Sequence, residues 1–186
     1  MAKAGGFEYK YSTEYNGIEI IGYNGNDKEI YIPKTIKGKR VTSIGNDAFE
    51  NQNKIEKITI SDNIINIGND AFDKCVKMEH IDVSDSVMNI DNGAFFFCEN
   101  LRKGVIPNGV TSISDYTFAF CANLKNVKIP DSVTRIGNNA FWGCSEFMSA
   151  TCKGTTYCIE EHKNRYGIIE YDLPKKFYET VNEGRK

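Results

Sequence analysis

The sequence has little proline, histidine or tryptophan: 4, 2 and 1 residues in 186. So few prolines exclude a Pro-rich extended chain, and 16 glycines without a three-residue period exclude a collagen-like one. Two histidines, His80 and His162, are too few to dominate a metal centre of three or four ligands. A Ser/His/Asp or Cys/His nucleophilic set would have to use one of them. No charge predominates. Lys plus Arg is 23 and Asp plus Glu is 25, a formal net charge of −2, which argues against a dedicated nucleic-acid binder. No apolar run approaches the ~20 residues that span a bilayer. Residues 1–6, Met-Ala-Lys-Ala-Gly-Gly, lack the apolar stretch of a secretory signal and read as an added linker. No Gly-x-Gly-x-x-Gly phosphate loop is seen.

What is present is regular. Ile44, Ile67, Ile90, Ile113 and Ile136 recur every 23 residues, as do Phe49, Phe72, Phe95, Phe118 and Phe141. Ala48, Ala71, Ala94, Thr117 and Ala140 precede the phenylalanines. Gln52, Cys75, Cys98, Cys121 and Cys144 follow three later, then Ile55, Met78, Leu101, Leu124 and Phe147. Val41, Ile64, Val87, Val110 and Val133 open the units. A repeat of this length cannot bury its apolar face alone, so neighbours must stack into a solenoid. Leu124-x-x-Val127-x-Ile129, ending at Pro130, alternates with period two and predicts a short strand. Ala-Phe-x-x-Cys-x-x-Leu places apolar residues at i, i+1, i+4 and i+7, which predicts a short helix. The fold class expected is α/β: a parallel sheet on one face of the solenoid and short helices on the other.

Val133-Thr-Arg-Ile-Gly-Asn-Asn-Ala-Phe-Trp-Gly-Cys144 and Ile32-Pro-Lys-Thr-Ile-Lys-Gly-Lys-Arg-Val-Thr-Ser-Ile-Gly-Asn-Asp-Ala-Phe49 resemble the BspA-like class of 23-residue bacterial leucine-rich repeats. The resemblance covers about residues 17–170. Five residues are inserted between Pro33 and Val41 relative to Pro107 and Val110. Departures are local: Gln52 for Cys, Thr117 for Ala, Asp91 and Ser114 for Gly, and Gly104 for an apolar strand residue. Gly104 and Ser114 are expected to loosen the stack where they occur.

Residues 7–31 read as an N-terminal β-hairpin cap and 32–152 as five repeats. Residues 153–173 read as a C-terminal cap, with a helix over 156–165 and a strand over 167–171. Residues 174–186 read as a polar, frayed tail.

The cysteine column has a spacing that matches no zinc motif and reads as inward-facing thiols filling the core. Cys152 takes the strand position of Ile129 and also faces inward. A bond from Cys152 to Cys158 is the less favoured alternative. No cofactor or metal is expected. Two surfaces remain. The outward strand columns, Lys57, His80, Lys103, Asn126, Ser149 and Thr59, Asp82, Val105, Lys128, Thr151, are mixed in character. The two positions after each repeat phenylalanine are polar at first, Glu50-Asn51 and Asp73-Lys74. They then become Phe96-Phe97, Ala119-Phe120 and Trp142-Gly143. Phe96, Phe97, Tyr116, Phe120 and Trp142 are therefore expected to form one contact patch, the alternative being local packing or self-contact. The resemblance implies a non-enzymatic module of a bacterial cell-surface or secreted protein, in adhesion or host contact, with a protein or glycan partner. The alternative is a structural scaffold within a larger surface-anchored protein or enzyme.

Overall fold

In a computed structural model, residues 2–153 are described, the side chains of 2–4 excepted. Beyond them the backbone of 155–158, 160–163 and 169–172 is described, with residues 177, 179 and 181. The 23-residue period becomes a β-solenoid of about six turns, because each apolar column stacks on its equivalents in the adjacent turns. The N-terminal strands are β1 (Ala2–Ala4), β2 (Phe7–Ser12), β3 (Gly17–Tyr23), β4 (Glu29–Tyr31), β5 (Thr35–Ile36) and β6 (Lys39–Ile44). Longer and shorter strands then alternate: β7 (Lys57–Thr59), β8 (Asn66–Ile67), β9 (His80–Asp82), β10 (Asn89–Ile90), β11 (Lys103–Val105), β12 (Ser112–Ile113), β13 (Asn126–Ile129), β14 (Arg135–Ile136) and β15 (Ser149–Cys152). The chain continues through β16 (Thr155–Cys158), β17 (Glu160–Lys163) and β18 (Ile169–Asp172).

Parallel pairing follows the sequence period. Ile58 lies opposite Ile81, and Val127 opposite Ala150. On the other row Ile44 lies opposite Ile67, and Ile67 opposite Ile90. Ile58, Ile81, Val127 and Ala150 are buried between polar neighbours, as period-two alternation requires. The rows are interrupted where the repeat departs from its pattern. Among the described residues, β9 and β11 belong to separate sheets, and so do β10 and β12. Gly104 of β11 has no side chain to pack, and its place in the interior is shared by Val127, Phe118 and Leu124. At Ser114 the side-chain Oγ donates to the Ile90 carbonyl at 2.7 Å. At the equivalent positions Gly68 and Gly137 use their backbone N–H groups on Ile44 and Ile113.

A ring stack forms the spine. Tyr23, Phe49, Phe72, Phe95, Phe118 and Phe141 follow one another with centroids 5.2–5.7 Å apart and near-parallel planes. Full burial of a phenylalanine contributes about 1.5–3 kcal/mol, so the spine is a principal source of stability. Beside it each column cysteine donates its S–H to the phenylalanine carbonyl of the preceding turn. The distances are 3.1 Å from Cys75 to Phe49, 3.2 Å from Cys98 to Phe72, 3.1 Å from Cys121 to Phe95 and 3.0 Å from Cys144 to Phe118. Gln52 does the same in the first full turn, its amide reaching the Tyr23 carbonyl at 2.9 Å. Tyr23 thus takes the place of a repeat phenylalanine.

The short helices expected opposite the sheet are not formed among the described residues; that face is built of tight turns. The reason lies in where the backbone donors go. The N–H of Phe49, Phe72, Phe95 and Phe118 bonds the carbonyl of Ala71, Ala94, Thr117 and Ala140 in the next turn, at 2.8–2.9 Å. Those donors cannot also close an i to i−4 ladder. Two positions per turn moreover have positive φ, as at Asp47 (55°) and Asn51 (59°), or Asp70 (51°) and Lys74 (55°), which no right-handed helix admits.

The ends also differ from expectation. Ala2–Ala4 is a strand paired with Phe7–Tyr9 rather than a linker. The hairpin of β2 and β3 is present, and β3 pairs with β6 to begin the short-strand row. The five inserted residues close a small hairpin between β5 and β6, with Lys37 and Gly38 at φ 49° and 76°. At the other end the helix expected over 156–165 is replaced by strands. β16 turns back antiparallel on β15, and β17 pairs with β18. The frayed tail does not extend to Phe177 and Val181. Both are helical in backbone, four residues apart on one face, and fully buried in the core.

Candidate binding surface on the turn side

The turns fix where the outward side chains emerge. One positive-φ column runs Asp47, Asp70, Gly93, Tyr116, Asn139, and a second runs Asn51, Lys74, Phe97, Phe120, Gly143. Gly, Asn and Asp suit this conformation; a bulky aromatic costs roughly 1–2 kcal/mol there. Tyr116 (φ 57°), Phe97 (φ 54°) and Phe120 (φ 58°) accept that cost. What they gain is each other. Phe97 and Phe120 stack with centroids 4.4 Å apart and planes 10° from parallel. Phe96 meets Phe97, Phe120 and Tyr116 edge-on at 4.9, 5.6 and 6.4 Å. Trp142 extends the row, 4.7 Å from Phe120. Asn139 donates to the Tyr116 hydroxyl at 3.1 Å.

All five residues singled out in the sequence are thus brought together across three turns. The three phenylalanines are half-buried, whereas Tyr116 is 39% exposed and Trp142 is 54% exposed. The polar half of the same face, read from Glu50-Asn51 and Asp73-Lys74, holds a groove that sequence reasoning did not foresee. A groove of about 250 Å³ runs beside Phe97, lined also by Asn51, Asn53, Lys74, Val76 and Glu99. Lys74 bridges Asp73 at 2.5 Å and Glu50 at 3.5 Å. The Asp70 carboxyl is held above its usual range, first by burial and then by the charges of Asp73, Asp47 and Glu50. The available signal was the run of Asp and Glu at turn positions in the first two repeats.

The strand side is different. Lys57 pairs with Asp82 at 3.2 Å, Lys28 with Glu56 at 2.6 Å and Arg102 with Glu79 at 3.0 Å. Ser149 donates to Asn126 at 2.8 Å. Each bond joins neighbouring turns, so part of the charge on this side is paired along the stack. His80 is exposed among these residues.

The pattern of BspA-type leucine-rich repeat regions matches residues 23–148 in six copies. The chain belongs to this repeat family. A crystal structure of a Treponema pallidum leucine-rich repeat protein is similar to this BspA-type chain at 30% identity and TM-score 0.76, covering 80% of this chain and 70% of that one. A leucine-rich cell surface protein of Faecalibacterium prausnitzii matches at 23% identity and TM-score 0.53, over 90% of this chain and 59% of its own. The pneumococcal vaccine antigen PcpA shares the fold at 18% identity and TM-score 0.61, over 74% of this chain and 35% of its own. No curated protein matches the sequence.

The described cysteine side chains of this BspA-type solenoid lie in its core. The column thiols are buried, and burial pushes Cys75 and Cys144 up to about 12 and holds Cys98 and Cys121 well above the usual thiol range. Cys152 is a buried free thiol. In the β15–β16 register Cys152 faces Thr155 and Cys158 faces Ser149, so those two cysteines are not opposite one another. The side chains of Cys158 and His162 lie outside the described residues. Among the described residues no group of His, Cys, Asp and Glu could hold a metal ion. Nor is any described helix long and apolar enough to cross a membrane.

Proposed function

We propose that the chain is a non-enzymatic protein-binding module of a bacterial cell-surface or secreted protein, serving adhesion or host contact. Its contact surface is the aromatic row Phe96, Phe97, Tyr116, Phe120 and Trp142. The observation that carries this reading is the row itself. Three aromatics occupy backbone positions where other turns use Asn, Asp, Lys or Gly, and two rings stand open to solvent. The fold does not need them there, and exposed aromatic patches serve as anchors at interfaces. Membership of the BspA-type family and similarity to a protein described as a cell surface protein support the location. A structural scaffold of a larger protein is the second reading. It is favoured by the share of the longer neighbours that the chain spans, 59% and 35%.

Two double variants test the choice of face. Phe97→Lys with Trp142→Glu places at each site a residue type that another turn carries in the same column, Lys74 and Glu50 respectively. It is expected to fold with nearly unchanged stability and to lose surface-partner capture in pull-downs, with light scattering reporting any self-association. Lys57→Ala with Lys128→Ala is expected to retain capture, since exposed charges contribute little. Loss of capture by the lysine pair alone would move the site to the strand side.

A further inference from the structure

We infer that the partner of the turn-side surface is a cationic protein segment, one that sets Lys or Arg side chains against the acidic turns and over the exposed rings. This inference rests on the reading of the aromatic row as the contact surface and adds the chemistry of what it holds. The turn side carries a net negative charge. Its turns carry seven carboxylates, Asp47, Glu50, Asp70, Asp73, Glu99, Asp115 and Glu146, against the three ammonium groups of Lys54, Lys74 and Lys77. Lys74 is already engaged by Asp73 and Glu50. In a chain of net charge −2, this face is the concentrated negative one.

The two halves are continuous. Phe97 lines the same groove as Glu99, Asn51 and Lys74, so a segment leaving the rings passes directly onto the acidic turns. Trp142 and Tyr116 are exposed, and an aromatic face attracts an ammonium or guanidinium. Charge complementarity therefore selects among occupants. A second copy of this chain docked by the same face would set carboxylates against carboxylates, which like-charge repulsion opposes. A neutral glycan would use the rings and leave the carboxylate field idle. A segment bearing Lys or Arg with apolar residues uses both.

Trp142 is the only tryptophan in the sequence, so its emission reports occupancy of the row. The test is a phage-displayed library of random dodecapeptides selected on the intact chain. Enriched peptides are expected to carry an excess of Lys and Arg over Asp and Glu and to perturb Trp142 emission. They are expected to weaken at least tenfold between low and high salt, and at least tenfold on Asp47→Asn/Glu50→Gln/Glu99→Gln. That triple variant keeps the solenoid, because Asn already serves as Asn139 in the column of Asp47 and the other two side chains are polar surface. Selection of acidic or uncharged peptides, no enrichment over bare beads, or equal binding by the triple variant would overturn the inference. So would a dimer in sedimentation that Phe97→Lys/Trp142→Glu dissolves. The aromatic double variant separates the two layers. If it abolishes binding while no charge preference is seen, the row is the site and the cationic partner is wrong. If it leaves cationic peptides bound, the row is not the site.

Discussion

Each column cysteine acts as a small apolar filler that also donates a hydrogen bond, and no other side chain of its size does both without introducing a more polar atom. The thiol sits beside the phenylalanine spine and satisfies the carbonyl one turn back. Gln52 shows that the donor is what the site requires, since it reaches the Tyr23 carbonyl from the same column. Two outcomes follow at this scale. The four thiols are expected to resist a thiol reagent in the native protein and to react at once in denaturant; rapid native labelling would contradict their placement. Stability is also expected to fall in alkali. An unfolded thiol ionises above its ordinary value of 9.0, whereas Cys75 and Cys144 hold their protons to about 12. Between these limits the native state binds more protons than the unfolded one, so stability is full below pH 9 and declines as pH rises through the window. Tyr15 and Tyr23, also pushed up to about 12, add to the decline in its upper part. Melting temperature against pH measures this, and a flat profile from pH 8 to 11 would refute it. Asp70 carries the opposite lesson. Its carboxyl is crowded by Asp73, Asp47 and Glu50 in a positive-φ position that Asn tolerates well. Asp70→Asn is therefore expected to raise the melting temperature slightly.

At the level of elements, the strands were legible and the turn face was misread for a definite reason. Val127-x-Ile129 alternates as only a strand does, and β13 forms there. Ala48, Phe49, Gln52 and Ile55 fit a helical face equally well as a chain of tight turns, because both bring every third or fourth residue inward. The distinguishing signal lay between the apolar positions. Asp47, Asp70, Gly93 and Asn139 form a column of residues that favour left-handed backbone. A missed column of Asn and Asp at 46, 69, 92, 115 and 138 adds to it. Asn46, Asn69, Asn92 and Asp115 each accept the backbone N–H of the next member at 2.7–3.2 Å. That ladder ties turn to turn, as the sheet does on the opposite side. Circular dichroism is expected to show a β-rich spectrum with little helix. The register is tested by Ile90→Asp, which buries an unpaired charge in the middle turn and is expected to cost several kcal/mol, roughly 3 or more. Glu50→Ala on the turn surface is expected to change stability by about 0.5 kcal/mol or less. Similar melting of the two variants would refute the assigned register.

Across the whole molecule, a solenoid is a line of units, each held by its neighbours, so the terminal turns decide whether the stack is sealed. The aromatic row was legible because its positions depart from the polar residues that the first two repeats carry in the same columns. The charge of that face was not, because its carboxylates lie in different turns and gather only when the turns stack. The C-terminal closure was also illegible. Periodicity stops after Cys152, and a polar composition over 174–186 conceals two apolar residues spaced for one helical face. Phe177 and Val181 are fully buried in the same core as the ring spine, so these two residues are part of the folded unit. Phe177→Ala would leave a cavity of aromatic size, which in packed cores costs about 3–5 kcal/mol. A denaturant titration of this variant is expected to show a midpoint shifted down by that amount with an unchanged slope. Trypsin is expected to cut it faster near Lys175 and Lys176, because the segment opens more often when its anchor is gone. A frayed tail would give neither result: the midpoint would not move, and the intact protein would be trimmed as quickly as the variant.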